Sequence, residues 1–542
     1  MRRTGRGVIS DEAVAEALAL IERAQVAQWL EAELLARRRR PGRPRHISVK
    51  ALLCALLLLA ADDRPLHLSG ATEVLFCRLS APAQASLGVE GRVIDRRSFL
   101  ARYRQVRYLF GAVAKVLDPS GLVKNRRLAT EEFTARCVAV DEEQLHAARA
   151  RLEAFMGALL CASADEFDSG ASRPALAYGL DATPVPLFSR GPSVRSGLCA
   201  SDPDGGWYVR EGDHREREDH KGAARGRVAW ALEATVLTTA SPTPGTLASF
   251  PNLVVGLALG RPGTDPGGTA VRVLRGALAR GWAPGPLGVD RAYSTAFAAG
   301  FHLPVRAMGF DLVVDYRVDQ LGRQANSHGA VMVEGTWYCP SMPEVLVNAT
   351  IDLRAGRIDE RTYAARICAR ADFALRRKSG PDADGYERFM CPANGPRPKV
   401  RCGLRPTSLS ALGKRTVAAA PQDAPALCRQ SAITIAPDVG ARHAQSLAFG
   451  SESWEAHYAT LRNTIEGWNG FAKDPAHEAL GQPARRRVRG IAAQGIFITM
   501  LYVAANLRKI DTHHRQMDDQ GALEARKRAR RRRTSLTDYL PG

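Results

Sequence analysis

Three acids and two cations stand out for the chemistry their spacing allows. In Tyr458-Ala-Thr-Leu-Arg462-Asn-Thr-Ile-Glu466-Gly-Trp-Asn-Gly-Phe-Ala-Lys473, a helical reading puts Arg462, Glu466 and Lys473 on one face, because positions four and seven apart nearly eclipse on a helix. Far upstream, Ala-Tyr-Gly-Leu-Asp181-Ala-Thr-Pro and Pro-Leu-Gly-Val-Asp290-Arg-Ala-Tyr-Ser each read as a short buried strand ending in an acid, where open sheets place their chemistry. Two strand-end aspartates with a helical glutamate form a cage for hard divalent cations, which prefer carboxylate oxygens and keep several waters. Such a cage suits phosphoryl transfer. Each acid also has an ordinary reading: Asp181 opening a turn, Asp290 capping a helix, Glu466 pairing with Arg462.

These residues need a scaffold, and the pattern around them supplies one. From about residue 175 strand-like runs (177–180, 228–238, 253–259, 287–290 and 312–316) alternate with a helix over about 269–280, which predicts a mixed α/β sheet carrying Asp181 on its first strand and Asp290 on a later one. The polar stretch 191–225 reads as a loop. Asp315 ends the last of these strands and reads as a structural hydrogen-bonding partner. The alternation stops between Tyr316 and Phe449, where a charged helix over about 359–377 and a Pro/Gly-rich stretch over 380–440 read as an insertion ahead of the Glu466 helix. Helical spacing dominates before residue 160, over 11–36, 49–61 and 97–117. An apolar helix is expected over 490–509, followed by a disordered basic tail. Gly467 and Gly470 are poor helix residues; close approach of DNA or of the sheet, or a helix ending at Gly470, would account for them.

At this point the chain resembles bacterial DDE insertion-sequence transposases, whose catalytic domain is RNase H-like. The resemblance rests on Gly42-Arg43-Pro44-Arg45, Leu180-Asp181-Ala-Thr183-Pro184, Gly288-Val-Asp290-Arg-Ala-Tyr293-Ser, Phe310-Asp-Leu-Val-Val-Asp315-Tyr316-Arg317, Tyr338-Cys339-Pro340, Phe449-Gly-Ser451 with Trp454, and Arg462-x3-Glu466-x6-Lys473. It departs from the family's Tyr-x2-Arg spacing, since three residues separate Tyr458 from Arg462. The resemblance implies an α/β fold: an RNase H-like mixed sheet with flanking helices, interrupted by an insertion domain, plus a helical N-terminal domain. The expected units are 1–160 (helical, DNA-binding and dimerising, with a basic arm), 171–349 and 446–510 (the two parts of the catalytic domain), 350–445 (insertion) and 511–542 (basic tail). Catalysis would rest on Asp181, Asp290 and Glu466 holding two Mg²⁺ or Mn²⁺ ions, with Asp181 bridging them. Arg462 and Lys473 would face DNA phosphates near the cleaved bond.

Composition agrees with a polyanionic partner. The 542 residues carry a formal net charge of +20, concentrated at Arg37–Arg40 with Arg43 and Arg45, at Arg485–Arg487 with Arg489, and at Arg526–Arg533. Such clusters condense onto phosphate backbones by releasing counterions, although any one of them also reads as a solvated surface. Arg43, Arg45 and Arg486 are the DNA-binding candidates here, the first two in a Pro-stiffened arm suited to a minor groove or, equally, to a basic hinge. No signal peptide is legible, and the best membrane candidate, 51–61, falls short of the roughly 20 apolar residues of a span, so a cytoplasmic, nucleoid-associated protein is expected. Ten scattered cysteines predict free thiols, not a disulfide framework. Cys391, Cys402 and Cys428, with Cys339 or His443 as a fourth, would suit a structural Zn²⁺ in an insertion short of apolar residues, though their wide spacing, without paired C-x2-C motifs, fits buried free cysteines better.

The expectation is a transposase that cleaves the ends of its own element and joins them to target double-stranded DNA, as a homodimer. A catalytically inactive relic acting as a DNA-binding repressor, and a non-transposing nuclease of the same fold, are the alternatives.

Overall fold

The computed structural model describes residues 7–37, 45–167, 173–192, 197–209, 228–246, 249–410 and 416–537, with side chains of the last helix described to residue 523. Its centre is a six-stranded mixed sheet of β1 (Ala177–Pro186), β2 (Gly206–Val209), β3 (Val228–Ala240), β4 (Val254–Gly260), β5 (Pro286–Val289) and β6 (Asp311–Val314). β3 runs antiparallel to β1 along its whole length and carries β2 and β4 on its other edge, both antiparallel. On the opposite side β5 and β6 run parallel to β1. β4 and β5 are almost wholly buried apolar runs, as strands covered on both faces must be. β2 forms within the stretch expected to be a loop, its Trp207 packed edge-on against Trp230 of β3.

One face of the sheet, through Val185, Leu232, Ala234, Val236 and Leu257, joins a core with the N-terminal helices and the C-terminal helix. The other, through Leu180, Leu237, Val255 and Ala258, packs on helix Pro266–Leu278. The N-terminal helices therefore do not close on themselves at residue 160. Helix Glu142–Ala164 crosses that boundary and lies on β4, because its apolar side chains have the sheet as their partner.

The C-terminal helix is longer than expected, running from Ile491 to Thr537 through the supposed disordered tail, so the boundary at 510 falls within it. Its start is fixed by two buried aspartates: Asp202 accepts from the Gly490 amide at 3.1 Å and Asp204 from the Ile491 amide at 2.8 Å. This helix, not residues 51–61, has the longest apolar stretch among the described residues; it is long and apolar enough to cross a membrane but is mostly buried inside the protein. The reason is its role as the spine of the first core.

Between β6 and helix Glu452–Lys473 the chain builds a third core of short strands and helices, from Ala330 to Ile435. The boundary expected at 350 cuts through this core, which already includes Val331, Val333, Trp337 and Tyr338. The segment does contain the apolar residues to fill a core; they are spread over strands of three to five residues, too short for periodicity to reveal.

Candidate active site

Register brings the two aspartates together. Leu180 of β1 pairs with Val289 of β5, so Asp181 and Asp290 are the next residues on neighbouring parallel strands. β5 ends there as expected, and Asp290 turns the chain into helix Arg291–Ser294, accepting from the Arg291 amide at 2.7 Å. Asp181, by contrast, is not at a strand end: β1 continues to Pro186, because β3 pairs with it beyond the point where β5 stops. Its position at the end of the parallel pairing, not of the strand, places it beside Asp290.

Helix Glu452–Lys473 lies across β1, β5 and β6 and brings the remaining residues. It can do so because the paired glycines Gly179 and Gly288 leave room for Leu461 and Ile465. A Cβ on Gly288 would lie 2.5 Å from the Leu461 Cβ, and one on Gly179 would lie 3.0 Å from the Ile465 Cβ. Gly467 and Gly470 play no such part: both face open space, and the helix continues to Lys473. Approach of the sheet and termination at Gly470 are thus set aside as their reasons.

Leu180, Asp181, Gly288, Asp290, Tyr458, Arg462, Ile465 and Glu466 line one small cavity of about 40 Å³. Asp181 is the most enclosed of the acids. Its carboxylate accepts from the Ala182 amide at 2.7 Å and from the Asn469 side chain at 2.9 Å. Burial, reinforced by the neighbouring Asp290 charge, pushes its pKa from 3.8 up to about 6 against those hydrogen bonds and Lys473. Asp290 and Glu466 are about half exposed. Between them Arg462 donates to Glu466 at 2.8 Å, lies 3.6 Å from Asp290, and donates to the Tyr458 hydroxyl at 3.0 Å. Partial burial opposes the Arg462 charge, yet the Tyr458 hydroxyl and the two carboxylates raise its pKa above the ordinary value. Tyr458 stacks on Trp454, with ring centroids 5.0 Å apart, so the departure from the family spacing still yields a direct Tyr–Arg contact. Lys473 reaches the Thr183 hydroxyl on β1.

The aspartate pair fits a divalent cation: two neighbouring carboxylates, one with its ionised form disfavoured by burial and by the other, gain most from a positive ion between them. Glu466 lines the same cavity but is turned to Arg462, and among the described residues no three His, Cys, Asp or Glu side chains are arranged to hold an ion. A third ligand requires Glu466 to part from Arg462.

The chain was compared with protein-family models, curated proteins and solved structures, and none matches.

The DNA-binding candidates separate. Arg462 lines the cavity, whereas Lys473 is not among its lining residues but is bonded to Thr183 on β1, close enough to act on the Asp181 charge. Arg45 is paired with Glu31 at 2.7 Å, and Arg43 lies outside the described residues, as do Arg38–Arg40. Arg486 is a correction: it is 1% exposed, donates to the Leu480 carbonyl at 2.8 Å, and has its pKa lowered to about 10 by burial, so it cannot meet a phosphate. Its neighbours are also occupied, Arg485 with the Pro475 and Asp63 carbonyls and Arg489 with Asn125. A run of arginines in sequence does not reveal that the chain there packs against its own carbonyls. Asp315 is buried, pairs with Arg291 and lies 3.7 Å from Arg354. Asn469 was not anticipated, although its spacing of three from Glu466 and four from Lys473 puts it on the same helix face.

Of the cysteines, Cys339, Cys391, Cys402 and Cys428 line one enclosed cavity. His443 is not among its lining residues; it packs near Tyr316, and burial lowers its pKa to about 4.

Proposed function

We propose that this chain is a DNA transposase of the DDE type, cutting the ends of its own insertion sequence and joining them to target DNA, with Asp181, Asp290 and Glu466 as its catalytic acids. The single observation that carries the reading is their convergence on one cavity, which Arg462 also lines, from β1, β5 and a helix 285 residues downstream of Asp181. A sheet with β4-β3-β1 antiparallel and β5 and β6 parallel to β1 supports an RNase H-like domain, interrupted between β6 and the Glu466 helix.

Mg²⁺ or Mn²⁺ bound at Asp181 and Asp290 would supply Lewis-acid activation of the attacking hydroxyl and stabilisation of the leaving oxygen. The chain's own residues have separable tasks. Asn469 and the Ala182 amide fix the Asp181 carboxylate. Tyr458 holds the Arg462 guanidinium at the mouth of the cavity, where it can transfer from Glu466 to a DNA phosphate; that exchange would free Glu466 for the cavity. Lys473 would take a second phosphate. Working on DNA, the protein would act in the cytoplasm at the nucleoid, with two copies holding the two element ends.

Cleavage and strand transfer are tested on DNA bearing the repeats that flank the gene, comparing wild type with Asp181→Ala, Asp290→Ala and Glu466→Ala. Cutting at the repeat ends followed by joining, lost in all three variants, supports the proposal. End-independent cutting identifies a plain nuclease. Binding of the repeats with no cutting identifies a relic that acts as a repressor, a reading favoured by the Arg462–Glu466 pair if DNA does not break it.

A further inference from the structure

The four cysteines of the third module come from four separate elements. Cys339 follows the strand Thr336–Tyr338, Cys391 follows Glu387–Met390, Cys402 ends Val400–Cys402, and Cys428 lies in the helical turn Ala426–Arg429. In sequence they span 90 residues, from 339 to 428, yet all four are buried and face the same cavity, which has no room for a water molecule. The Cys339 and Cys391 thiols are neighbours close enough to act on each other electrostatically. Buried free cysteines serving only as small apolar fillers have no reason to gather in fours.

Their surroundings carry a second signal. Arg405 lines the cavity, and both it and Arg376 act electrostatically on Cys391. Neither forms an ion pair among the described residues, and the Arg376 Nε and Nη2 and the Arg405 Nε are buried without an acceptor. Each guanidinium reaches backbone carbonyls with its remaining nitrogens, Arg376 that of Arg397 and Arg405 those of Leu427 and Gln430, but buried guanidinium nitrogens without partners are costly, and thiolates in the cavity would offset that cost.

We infer that Cys339, Cys391, Cys402 and Cys428 form a structural zinc site, with Arg376 and Arg405 as the cations that balance its charge. Four thiolates around Zn²⁺ carry a net charge of −2, which two guanidiniums neutralise. Zinc binds thiolates at about 2.3 Å in a closed tetrahedron that excludes water, in keeping with a dry cavity. Among the described residues no three sulfurs stand at ligating distances. The site therefore closes on binding, and each thiol that joins releases one proton. The ion would cross-link four elements of a module whose strands are only three to five residues long.

The inference is independent of the DNA-cleavage reading and is tested without DNA. Full-length protein is purified without chelator, and its zinc content is measured together with the thiols that react after denaturation, before and after a zinc-capturing dye is added. One zinc per chain is expected, lost in Cys402→Ser and retained in Cys368→Ser, whose cysteine is exposed and outside the cavity. If Cys402→Ser does not fold, protein produced with Co²⁺ provides the readout on the wild-type sequence: a tetrahedral tetrathiolate gives intense sulfur-to-cobalt charge-transfer absorption. Zinc-free protein with all cysteines titrating as free thiols, or cobalt protein lacking that absorption, overturns the inference. A Cys339–Cys391 disulfide in the metal-free protein, seen as two thiols missing from the titration, overturns it as well.

Discussion

Asp181→Asn separates what the site does from what it costs the fold. The carboxyl is enclosed, and its pKa stands at about 6 where 3.8 is ordinary. At neutral pH, where it is ionised in both folded and unfolded chain, this rise corresponds to about 3 kcal/mol of lost stability at roughly 1.4 kcal/mol per pH unit. Asparagine removes the charge but keeps only one acceptor oxygen, so one of the hydrogen bonds from the Ala182 amide and Asn469 is lost, at a cost of about 1 kcal/mol. The variant is thus expected to be more stable than wild type by about 2 kcal/mol at neutral pH while losing DNA cleavage, the trade-off of a strained active site. The pH dependence has a definite sign. Between 3.8 and about 6 the folded carboxyl holds a proton that the unfolded one does not, so wild-type stability falls as pH rises through this window; toward acid pH the advantage of the asparagine variant vanishes between about pH 4 and 5 and reverses to a deficit of about 1 kcal/mol below 3.8. Denaturation midpoints of the two proteins, measured without divalent ions at several pH values, provide the check. Adding Mg²⁺ or Mn²⁺ should raise the wild-type midpoint and leave the variant unmoved. A variant less stable than wild type at neutral pH, or a stability gap that does not change with pH, would refute the reasoning.

Three further outcomes follow from the geometry. Gly288→Ala forces a Cβ against Leu461 and should destabilise the protein by about 1–3 kcal/mol and misplace the Glu466 helix, whereas Gly467→Ala, in open space, should stabilise it by up to ~1 kcal/mol; thermal melts of both test this. Arg462→Ala should cost less than about 1 kcal/mol of stability, since the pair with Glu466 is half exposed, yet abolish strand transfer; equal loss of both would make Arg462 a structural residue only. Arg486→Ala should destabilise by about 2–4 kcal/mol by stripping buried carbonyls of their donor, without lowering the salt slope of DNA binding by the unit that loss of a phosphate contact would bring.

The elements around the site were legible because their signals are local and strong. Buried apolar runs marked β1, β3, β4, β5 and β6, and i,i+4 spacing gave the Arg462–Glu466 face. What the sequence could not reveal depends on pairing. The continuation of β1 past Asp181 depends on β3, the packing of the N-terminal helices on the sheet depends on a shared core, and the burial of Arg486 depends on carbonyls from Pro186 and Leu480. Gly179 and Gly288 were visible as residues, but only their register shows that together they seat the helix. The third module was read as poor in apolar residues because its strands are too short to show a period, and its four cysteines are neighbours only in space.

If Asp181 and Asp290 act on DNA through a divalent ion they share, the identity of that ion must matter to the ligand atoms that hold it. The most direct measurement is cleavage of repeat-bearing DNA by Asp181→Cys and Asp290→Cys, assayed in parallel with Mg²⁺ and with Mn²⁺. Thiolate is a poor ligand for Mg²⁺ and a better one for the softer Mn²⁺. Cutting by these variants is expected to be lost with Mg²⁺ and restored with Mn²⁺, while wild type works with both. Full activity of either variant with Mg²⁺, or no activity of the wild type with either ion, would contradict the shared-ion site.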